Sequence, residues 1–222
     1  MRMVFRLIHT ALLKASGILF PERCFGCGKA DELFCEACER FFASPERTRL
    51  SSGVIVLSLF HYSTPAVRKA IRHIKYRRAK RLAERFGGIS AHYARDLSSL
   101  FPETHSPLLV PVPISQKTKR IRGYNHAEVF MEHVAKACNW ETDMHAILKT
   151  THTPSQTTLR TKMERKKNIR GSLTLAKNFS PKERAIILVD DVLTSGATLN
   201  ECARILRDAG AEKIFGITIA KG

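Results

Sequence analysis

The pattern of apolar and polar positions predicts strands and helices that alternate along most of the chain. Four short runs of large apolar residues are typical of buried strands, and they span residues 54–60, 108–113, 186–189 and 214–220. Between these runs, apolar residues recur every three or four positions, which predicts amphipathic helices within residues 67–74, 82–86, 127–138 and 199–206. Strands that alternate with helices predict an α/β fold with a mostly parallel sheet and helices on both faces.

Two acids and a short polar loop follow the apolar run at 186–189. The acids are Asp190 and Asp191, and the loop continues with Thr194, Ser195, Gly196 and Thr198. This loop leads into a predicted helix, and the free N–H groups of a helix N-terminus favour a phosphate. Carboxylates suit a pair of sugar hydroxyls, directly or through a hydrated divalent metal. The segment therefore indicates a ribose 5-phosphate site, and the simpler alternative is a strand-to-helix turn with solvated acids.

The sequence lacks two other phosphate-binding signatures. No G-x-x-x-x-G-K-[ST] occurs, which excludes a P-loop NTPase, and no G-x-G-x-x-G follows a predicted strand, which argues against a dinucleotide-binding turn. A phosphate site within residues 190–198 is therefore of a different type.

An excess of basic residues narrows the expected partners. The chain of 222 residues has 37 Lys and Arg against 20 Asp and Glu, a net charge of +17. Such a charge attracts nucleic acids, acidic membrane surfaces or phosphorylated metabolites, and a generally basic proteome is the simpler explanation. The densest basic segment contains an interleaved aromatic ring, as in a groove for single-stranded nucleic acid; the alternative is a solvated helix face. The residues concerned are Arg68, Arg72, Lys75, Tyr76, Arg77 and Arg78.

A second basic segment follows the strand predicted at 108–113. Its members are Pro113, Lys117, Arg120 and Arg122. Arginine binds two oxygens of one group at once, so this segment is suited to a pyrophosphate. Farther along, residues 149–171 are polar and basic and include Arg165 and Asn168. We interpret this stretch as a flap over the phosphate site, with a plain connecting loop as the alternative.

Four of the six cysteines form two C-x-x-C pairs near the N-terminus. They are Cys24, Cys27, Cys35 and Cys38. Each pair can turn two thiolates toward one ion, and four thiolates complete a closed tetrahedral site, for which zinc is the default metal in a reducing compartment. Such a site is structural because it has no open coordination position. An iron–sulphur cluster or a redox pair is the alternative.

Residues 1–20 place apolar positions at helical spacing beside basic ones and predict an amphipathic helix. Such a helix lies either on an anionic membrane surface or, more simply, on the protein's own core or on a partner. Charged residues interrupt its apolar run and no A-x-A site follows, which argues against a signal peptide. Because no run of 18 apolar residues occurs, we expect a cytoplasmic protein, with contact at the inner face of the membrane as an open alternative.

Residues 189–198 resemble the motif with which type I phosphoribosyltransferases bind phosphoribosyl pyrophosphate (PRPP). In that family the two acids hold the ribose hydroxyls and the loop binds the 5-phosphate. The resemblance therefore implies PRPP contacts for Asp190, Asp191, Thr194, Ser195, Gly196, Ala197 and Thr198. Further stretches resemble the ComF/GntX family: its zinc ribbon at 20–27, its basic segment at 71–77, and its pyrophosphate loop at 110–113 and 120–128. Gln156, Arg165, Asn168, Arg170 and Gly171 are similar to its flexible segment.

The resemblance also implies a domain organisation and a function. After the amphipathic helix at 1–20, which the apolar pattern predicts, it implies a small four-cysteine zinc ribbon at 21–43 and a type I phosphoribosyltransferase-like domain at 54–222. It implies a protein of competence that binds PRPP with Mg²⁺ and handles incoming single-stranded DNA during natural transformation. The expected partners are a competence helicase or an inner-membrane DNA channel. Two alternatives remain open: an active Mg²⁺-dependent phosphoribosyltransferase with an unknown acceptor, and a PRPP-sensing regulator.

Overall fold

The computed structural model describes residues 22–77, 80–98, 106–150, 169 and 171–222. Several predictions fall outside these residues: the N-terminal helix at 1–20, Arg78 of the basic segment, and Arg165 and Asn168 of the flap. Among the described helices, none combines the length and the apolar character that crossing a membrane requires.

Helices and strands alternate along the described chain as the apolar pattern predicts. The described helices are α1 (Glu36–Phe42), α2 (Pro65–Arg77), α3 (Lys80–Ser98), α4 (Gln116–Arg122), α5 (His126–Cys138) and α6 (Ala197–Asp208). The described strands are β1 (Glu46–Arg49), β2 (Ile55–His61), β3 (Leu108–Pro111), β4 (Glu141–Thr142), β5 (Ile147–Lys149), β6 (Leu173–Leu175), β7 (Ala185–Leu193) and β8 (Lys213–Lys221).

The strands form a central sheet and a small separate hairpin. The sheet has the order β1-β2-β8-β7-β3-β4, and all neighbours are parallel except β1, which runs antiparallel to β2. Strands β5 and β6 pair antiparallel outside this sheet. The carboxyl ends of β7, β8 and β3 therefore meet at one edge, where ligands of open α/β sheets bind.

Strand β7 is buried on both faces because its side chains alternate between two apolar cores. Ile187 and Val189 face the core formed with α2, α3 and α5, whereas Ile186 and Leu188 face the core formed with α6 and the hairpin. All four side chains are fully buried. The prediction of a mostly parallel sheet covered by helices on both faces is therefore confirmed.

The polar segment between the zinc ribbon predicted at 21–43 and the domain predicted from residue 54 contains the edge strand β1. Its polar residues pair with β2 from Glu46 opposite Ser58 to Arg49 opposite Ile55. The apolar pattern did not predict this strand because an edge strand exposes one face and alternates only weakly. Its four side chains are in turn partly buried and exposed.

The four-cysteine segment shares the main core through one aromatic residue. Phe34 is completely buried and its ring centroid lies 5.2 Å from that of Phe86 and 5.9 Å from that of Phe60. Phe60 belongs to β2 and Phe86 to α3, so the ring is inserted between the sheet and a helix that covers it. We expected a mini-domain held by its metal; the structure adds direct packing against the α/β core.

Candidate functional site

The two acids lie inside strand β7, near its carboxyl end. The sequence analysis placed the strand end before them, but pairing with β8 continues past Asp190, which lies opposite Thr218, as far as Leu193. The side chain of Asp190 accepts a hydrogen bond from the N–H of Asp191 at 2.8 Å. Burial and the charge of Asp191 raise the pKa of Asp190 to about 7. Two adjacent carboxylates at this edge therefore favour any group that brings positive charge or hydroxyl donors.

The loop after the acids turns the chain into α6 through a left-handed glycine. Gly196 has a φ of 69°, which side chains other than glycine rarely adopt, and it is the N-cap of α6. The Ser195 hydroxyl accepts a hydrogen bond from the N–H of Ala197 at 3.4 Å. A cavity of about 50 Å³ opens between this loop and Asp190. The loop thus places backbone N–H groups and hydroxyls beside the acids, as a phosphate requires.

The turn after β1 supports the loop, and the sequence analysis missed this. A methyl group on Gly196 would lie 2.8 Å from the Leu50 side chain, so the two segments are in close contact. The N–H of Ser52 donates to the side-chain oxygen of Asn200 in α6 at 3.0 Å. The polar segment before β2 therefore holds the start of α6 in place. No local signal in residues 50–52 indicates this, because the contact depends on the antiparallel edge strand.

Lys75 is paired with one of the acids and not with solvent. Its ammonium lies 2.9 Å from a carboxylate oxygen of Asp191, and the exposed fractions of the two side chains are 20% and 16%. The sequence analysis grouped Lys75 with the nucleic-acid face of α2. The structure pairs it instead with an acid of the candidate ribose site.

The predicted pyrophosphate loop is a short helix, α4, which begins after Ser115 and ends at Gly123. The Ser115 hydroxyl accepts a hydrogen bond from the N–H of Thr118 at 3.1 Å, and Gly123 closes the helix with a φ of 87°. Of the basic candidates, Lys117 and Arg120 are exposed. Pro113 precedes the helix and is partly buried. The resemblance implied a loop here. The structure has a helix instead, because the Ser115 side chain caps its first turn.

Backbone contacts hold this basic segment beside the acids. The N–H of Val112 donates to the carbonyl of Val189 at 2.8 Å, one residue before Asp190. Asn125, the N-cap of α5, accepts a hydrogen bond from the N–H of Ala127 and donates its side-chain amide to the carbonyl of Val112 at 3.1 Å. Both ends of the segment are thus fixed to the same edge of the sheet.

Arg122 and Tyr124 connect the basic segment to helix α2. The guanidinium of Arg122 lies 5.9 Å from the ring centroid of Tyr76, within the range of a cation–π contact. The Tyr124 hydroxyl donates to the carbonyl of Ile74 at 3.4 Å. A residue predicted to bind pyrophosphate therefore contacts one predicted to stack on a base.

His126 is a further polar group near the acids that the sequence analysis did not select. It is 2% exposed, and neither ring nitrogen has a hydrogen-bond partner among the described residues. Burial lowers its pKa to about 4, with Asp191 opposing the shift and Arg122 and Lys75 adding to it. The imidazole is therefore neutral at neutral pH. A polar residue at the start of an apolar helix face is the only sequence signal for it.

Helix α2 lines an open groove on its exposed side. The groove has a volume of about 540 Å³ and is lined by Pro65, Arg68, Lys69, Arg72, His73 and Tyr76. Tyr76 is 69% exposed. The cysteine-rich segment borders this groove, because Phe25 contacts the His73 ring at 5.2 Å and lies beneath the Lys69 ammonium at 5.1 Å. Of the predicted nucleic-acid residues, Arg68, Arg72 and Tyr76 lie together here, and Arg77 ends the helix.

The four cysteines of the two C-x-x-C pairs come together and could hold a metal ion. Their sulphur atoms all lie within 4.8 Å of one another, and Sγ of Cys35 is 3.6 Å from that of Cys24 and 3.5 Å from that of Cys27. Sulphurs about 3.8 Å apart suit tetrahedral zinc, whose bonds to sulphur are about 2.3 Å long.

Electrostatics and packing around the sulphurs also suit a metal. Burial raises the pKa of Cys24, but N–H donors at Cys27, Cys35 and Gly26 outweigh it and bring the pKa to about 6. Burial and the neighbouring thiols raise the pKa of Cys38 far above its usual value. A methyl group on Gly26 would lie 2.6 Å from the Cys38 sulphur, so a glycine is needed there. A buried thiol that resists ionisation alone is favoured as a thiolate by a metal cation.

Known proteins resemble this chain in both parts. The profile of the phosphoribosyl transferase domain matches residues 125–222. Competence protein F of Haemophilus influenzae is 34% identical over 108 residues, which are 48% of this chain and 46% of the relative. Competence protein ComFC of Bacillus subtilis is 26% identical over 96% of this chain and 82% of the relative. DNA utilization protein YhgH of Escherichia coli is 28% identical over 48% of this chain and 45% of the relative.

These similarities support the ComF family with a phosphoribosyltransferase-like domain. The chain spans about half the length of the Haemophilus and Escherichia relatives and most of ComFC. In this chain the matched domain contains the acids, the phosphate loop and His126, whereas the cysteines and Lys75 precede it. The resemblance inferred from the sequence motifs is thereby confirmed, together with a type I phosphoribosyltransferase-like fold.

Proposed function

We propose that this protein binds PRPP and handles single-stranded DNA in the cytoplasm during natural transformation. The observation that carries the proposal is the acid pair of β7, which leads directly into the glycine-capped start of α6 inside the matched phosphoribosyl transferase domain. The names of the relatives supply the process, since two are competence proteins and one is a DNA utilization protein.

In the PRPP complex the acids bind the ribose, and the loop binds the 5-phosphate. Asp190 and Asp191 accept hydrogen bonds from the ribose hydroxyls. Residues 194–198 donate to the 5-phosphate from hydroxyls and from the start of α6. The pyrophosphate lies toward Pro113, Lys117, Arg120 and Arg122. Mg²⁺ would bind with PRPP and offset the charge of its phosphates beside the two adjacent carboxylates.

Single-stranded DNA lies along the groove of α2. Arg68 and Arg72 neutralise phosphates, and the exposed Tyr76 ring offers a face on which a base stacks. Phe25 and the metal-bound cysteine segment form one border of the groove. Zinc in the four-thiolate site therefore has a structural role that also shapes the groove.

Calorimetry with Mg²⁺ and PRPP tests the ribose site. The variant Asp190→Asn/Asp191→Asn removes both negative charges with little change of shape, and we expect PRPP binding to be lost. Glu212→Gln is the matched control, because Glu212 is an exposed acid just before β8, at the opposite end of the strands. Equal PRPP affinity in the double variant and the wild type would exclude this site.

Fluorescence titration with a short single-stranded oligonucleotide tests the groove. Arg72→Glu is expected to weaken binding and to flatten its salt dependence, because fewer counterions are released. Lys213→Glu reverses a charge on an exposed residue at the far end of β8 and serves as the control. A similar loss of oligonucleotide affinity in both variants would mean that binding depends on the net charge of the protein and not on this groove.

The domain match also favours a second function, that of an active phosphoribosyltransferase. In that reaction the bond from ribose C1 to pyrophosphate breaks, an acceptor nitrogen or oxygen bonds to C1, and the acceptor loses a proton. Measurement of pyrophosphate release with nucleobases and amines distinguishes the two. Release that depends on an acceptor identifies an enzyme, whereas PRPP binding without release identifies a sensor or a DNA-handling protein.

A further inference from the structure

Helix α2 presents different residues to two sites. Lys69 and Arg72 line the open groove, while Lys75, one turn farther along the helix from Arg72, points to the acid pair. One rigid element therefore forms a wall of the groove and a wall of the ribose site.

Three contacts join this helix to the acid pair and to the basic segment beside it. They are the ion pair of Lys75 with Asp191 at 2.9 Å, the Arg122 guanidinium 5.9 Å from the Tyr76 ring, and the hydrogen bond from the Tyr124 hydroxyl to the Ile74 carbonyl at 3.4 Å. All three involve residues 74–76, at the last turn of α2. A ligand that changes the contacts of the acids or of Arg122 therefore acts first on the end of α2 that carries Tyr76.

The ion pair occupies the acid that PRPP needs. Asp191 and Lys75 are both largely shielded from water, so their attraction is screened less than that of a surface pair. A ribose hydroxyl can bond fully to Asp191 only if it shares or displaces the ammonium. Likewise, Arg122 can bind a pyrophosphate only by reducing its contact with the Tyr76 ring.

We propose that Lys75 links the two sites, so that PRPP and single-stranded nucleic acid weaken each other's binding. PRPP takes Asp191 from Lys75 and Arg122 from Tyr76, and the last turn of α2 loses the contacts that hold the stacking ring beside the groove. PRPP also brings additional phosphate charge next to a groove that binds phosphates. Because linkage is reciprocal, nucleic acid bound in the groove lowers PRPP affinity by the same factor. This inference rests on the proposed function and adds its regulation.

The test measures four affinities on the full-length protein. PRPP with Mg²⁺ and a short single-stranded oligonucleotide are each titrated alone, and then each is titrated with the other at saturation. We expect each ligand to weaken the other about five- to tenfold, toward the lower end of typical coupling between sites. Mg²⁺ without PRPP is the blank, so that an ionic-strength effect is subtracted.

Two lysines of the same helix provide matched variants. Lys75→Met removes the ion pair with Asp191 and is expected to bring the coupling factor down to about twofold or less, with the remainder due to the charge of PRPP. Lys69→Met removes a charge from the groove, so it is expected to weaken the oligonucleotide but to leave the coupling factor unchanged. Lys75→Arg retains a cation opposite Asp191 and is expected to restore the coupling. Circular dichroism confirms that each variant is folded.

The outcomes separate this inference from the proposed function. If either ligand fails to bind alone, the proposed function is wrong, and the proposed linkage is wrong as well. If both bind alone and the coupling factor in the wild type is one, or PRPP strengthens oligonucleotide binding, only the linkage is wrong. Equal coupling in wild type and Lys75→Met would show that the link does not pass through Lys75.

Discussion

Replacement of Phe34 by alanine tests whether the cysteine segment and the α/β core unfold together. The Phe34 side chain is fully buried, and its ring contacts those of Phe60, Phe86 and Phe42 with centroids 5.9, 5.2 and 6.2 Å away. Phe42 belongs to the cysteine segment, whereas Phe60 and Phe86 belong to the sheet and to α3. The variant therefore opens a cavity exactly where the two parts of the chain meet.

The expected loss in the free energy of unfolding is about 4 kcal/mol. Truncation of a buried phenylalanine to alanine costs about 3–5 kcal/mol, because transfer free energy and cavity terms add. The aromatic contacts contribute about 0.5–1.5 kcal/mol each within such a total. With a urea slope of about 2–3 kcal/mol/M, the midpoint of unfolding is expected to fall by about 1.5 M.

The chain provides a convenient probe and a matched control. It contains one tryptophan, Trp140, which packs against the main core after α5 and not in the cysteine segment. Urea unfolding followed by Trp140 fluorescence, with zinc present, therefore reports on the α/β core alone. Phe41→Ala is the control, because Phe41 lies in the same short helix as Phe42 but is 80% exposed, and we expect its midpoint to move by less than about 0.3 M.

Either of two results would refute this reasoning. If Phe34→Ala leaves the Trp140 midpoint unchanged while zinc content falls, the cysteine segment unfolds separately and Phe34 does not stabilise the core. Equal shifts for Phe34→Ala and Phe41→Ala would show that burial at this position does not set the cost.

Three further predictions test the environment of single residues. Burial lowers the pKa of His126 to about 4 from an ordinary 6.5, so the folded state loses stability as the pH falls from about 6.5 to about 4, by about 2–3 kcal/mol at pH 4.5. Because His126→Gln cannot titrate, its urea midpoints at pH 7 and 4.5 should differ less than those of the wild type. An equal decline in both proteins would contradict this. A methyl group on Gly216 would lie 2.9 Å from the Val56 side chain, so Gly216→Ala is expected to lower the free energy of unfolding by about 1–3 kcal/mol. Adding Val56→Ala to this variant is expected to cost less than Val56→Ala costs in the wild type, because it relieves the clash. Additive effects in the double variant would rule out the clash. Removal of metal by a strong chelator should lower the Trp140 midpoint, and Cys38→Ser should bind less zinc in a chromogenic assay; full zinc binding by Cys38→Ser would mean that this thiol is not a ligand.

Much of the fold follows from local patterns. The apolar run at 186–189 and the helical spacing at 127–138 predicted β7 and α5, because burial imposes a period of two residues or of 3.6 residues on neighbouring positions. The cap of α5 is local as well, because the Asn125 side chain bonds within its own turn. The extent of β7 was underestimated, since its last residues are held by pairing with β8, which no local pattern records.

The surroundings of the site depended on contacts between distant segments. Strand β1 was missed because its polar residues follow no clear alternation, yet the turn after it contacts the start of α6. His126 was not selected because one polar residue at the start of an apolar helix face has many ordinary explanations. That its ring nitrogens have no hydrogen-bond partner among the described residues is a property of the packed structure.

The sequence by itself determined the parts of the site that are contiguous in the chain: a buried strand, two acids, and a loop whose glycine adopts a left-handed conformation. It likewise determined the two cysteine pairs, because turn geometry and ligand spacing are local properties. Only the tertiary structure decided that Lys75 faces Asp191 and not the groove of α2, and that Phe34 fills the main core. Helical periodicity shows which residues share a face, but what a face contacts depends on how the helix packs on the sheet. That packing brings together residues that are far apart in the chain.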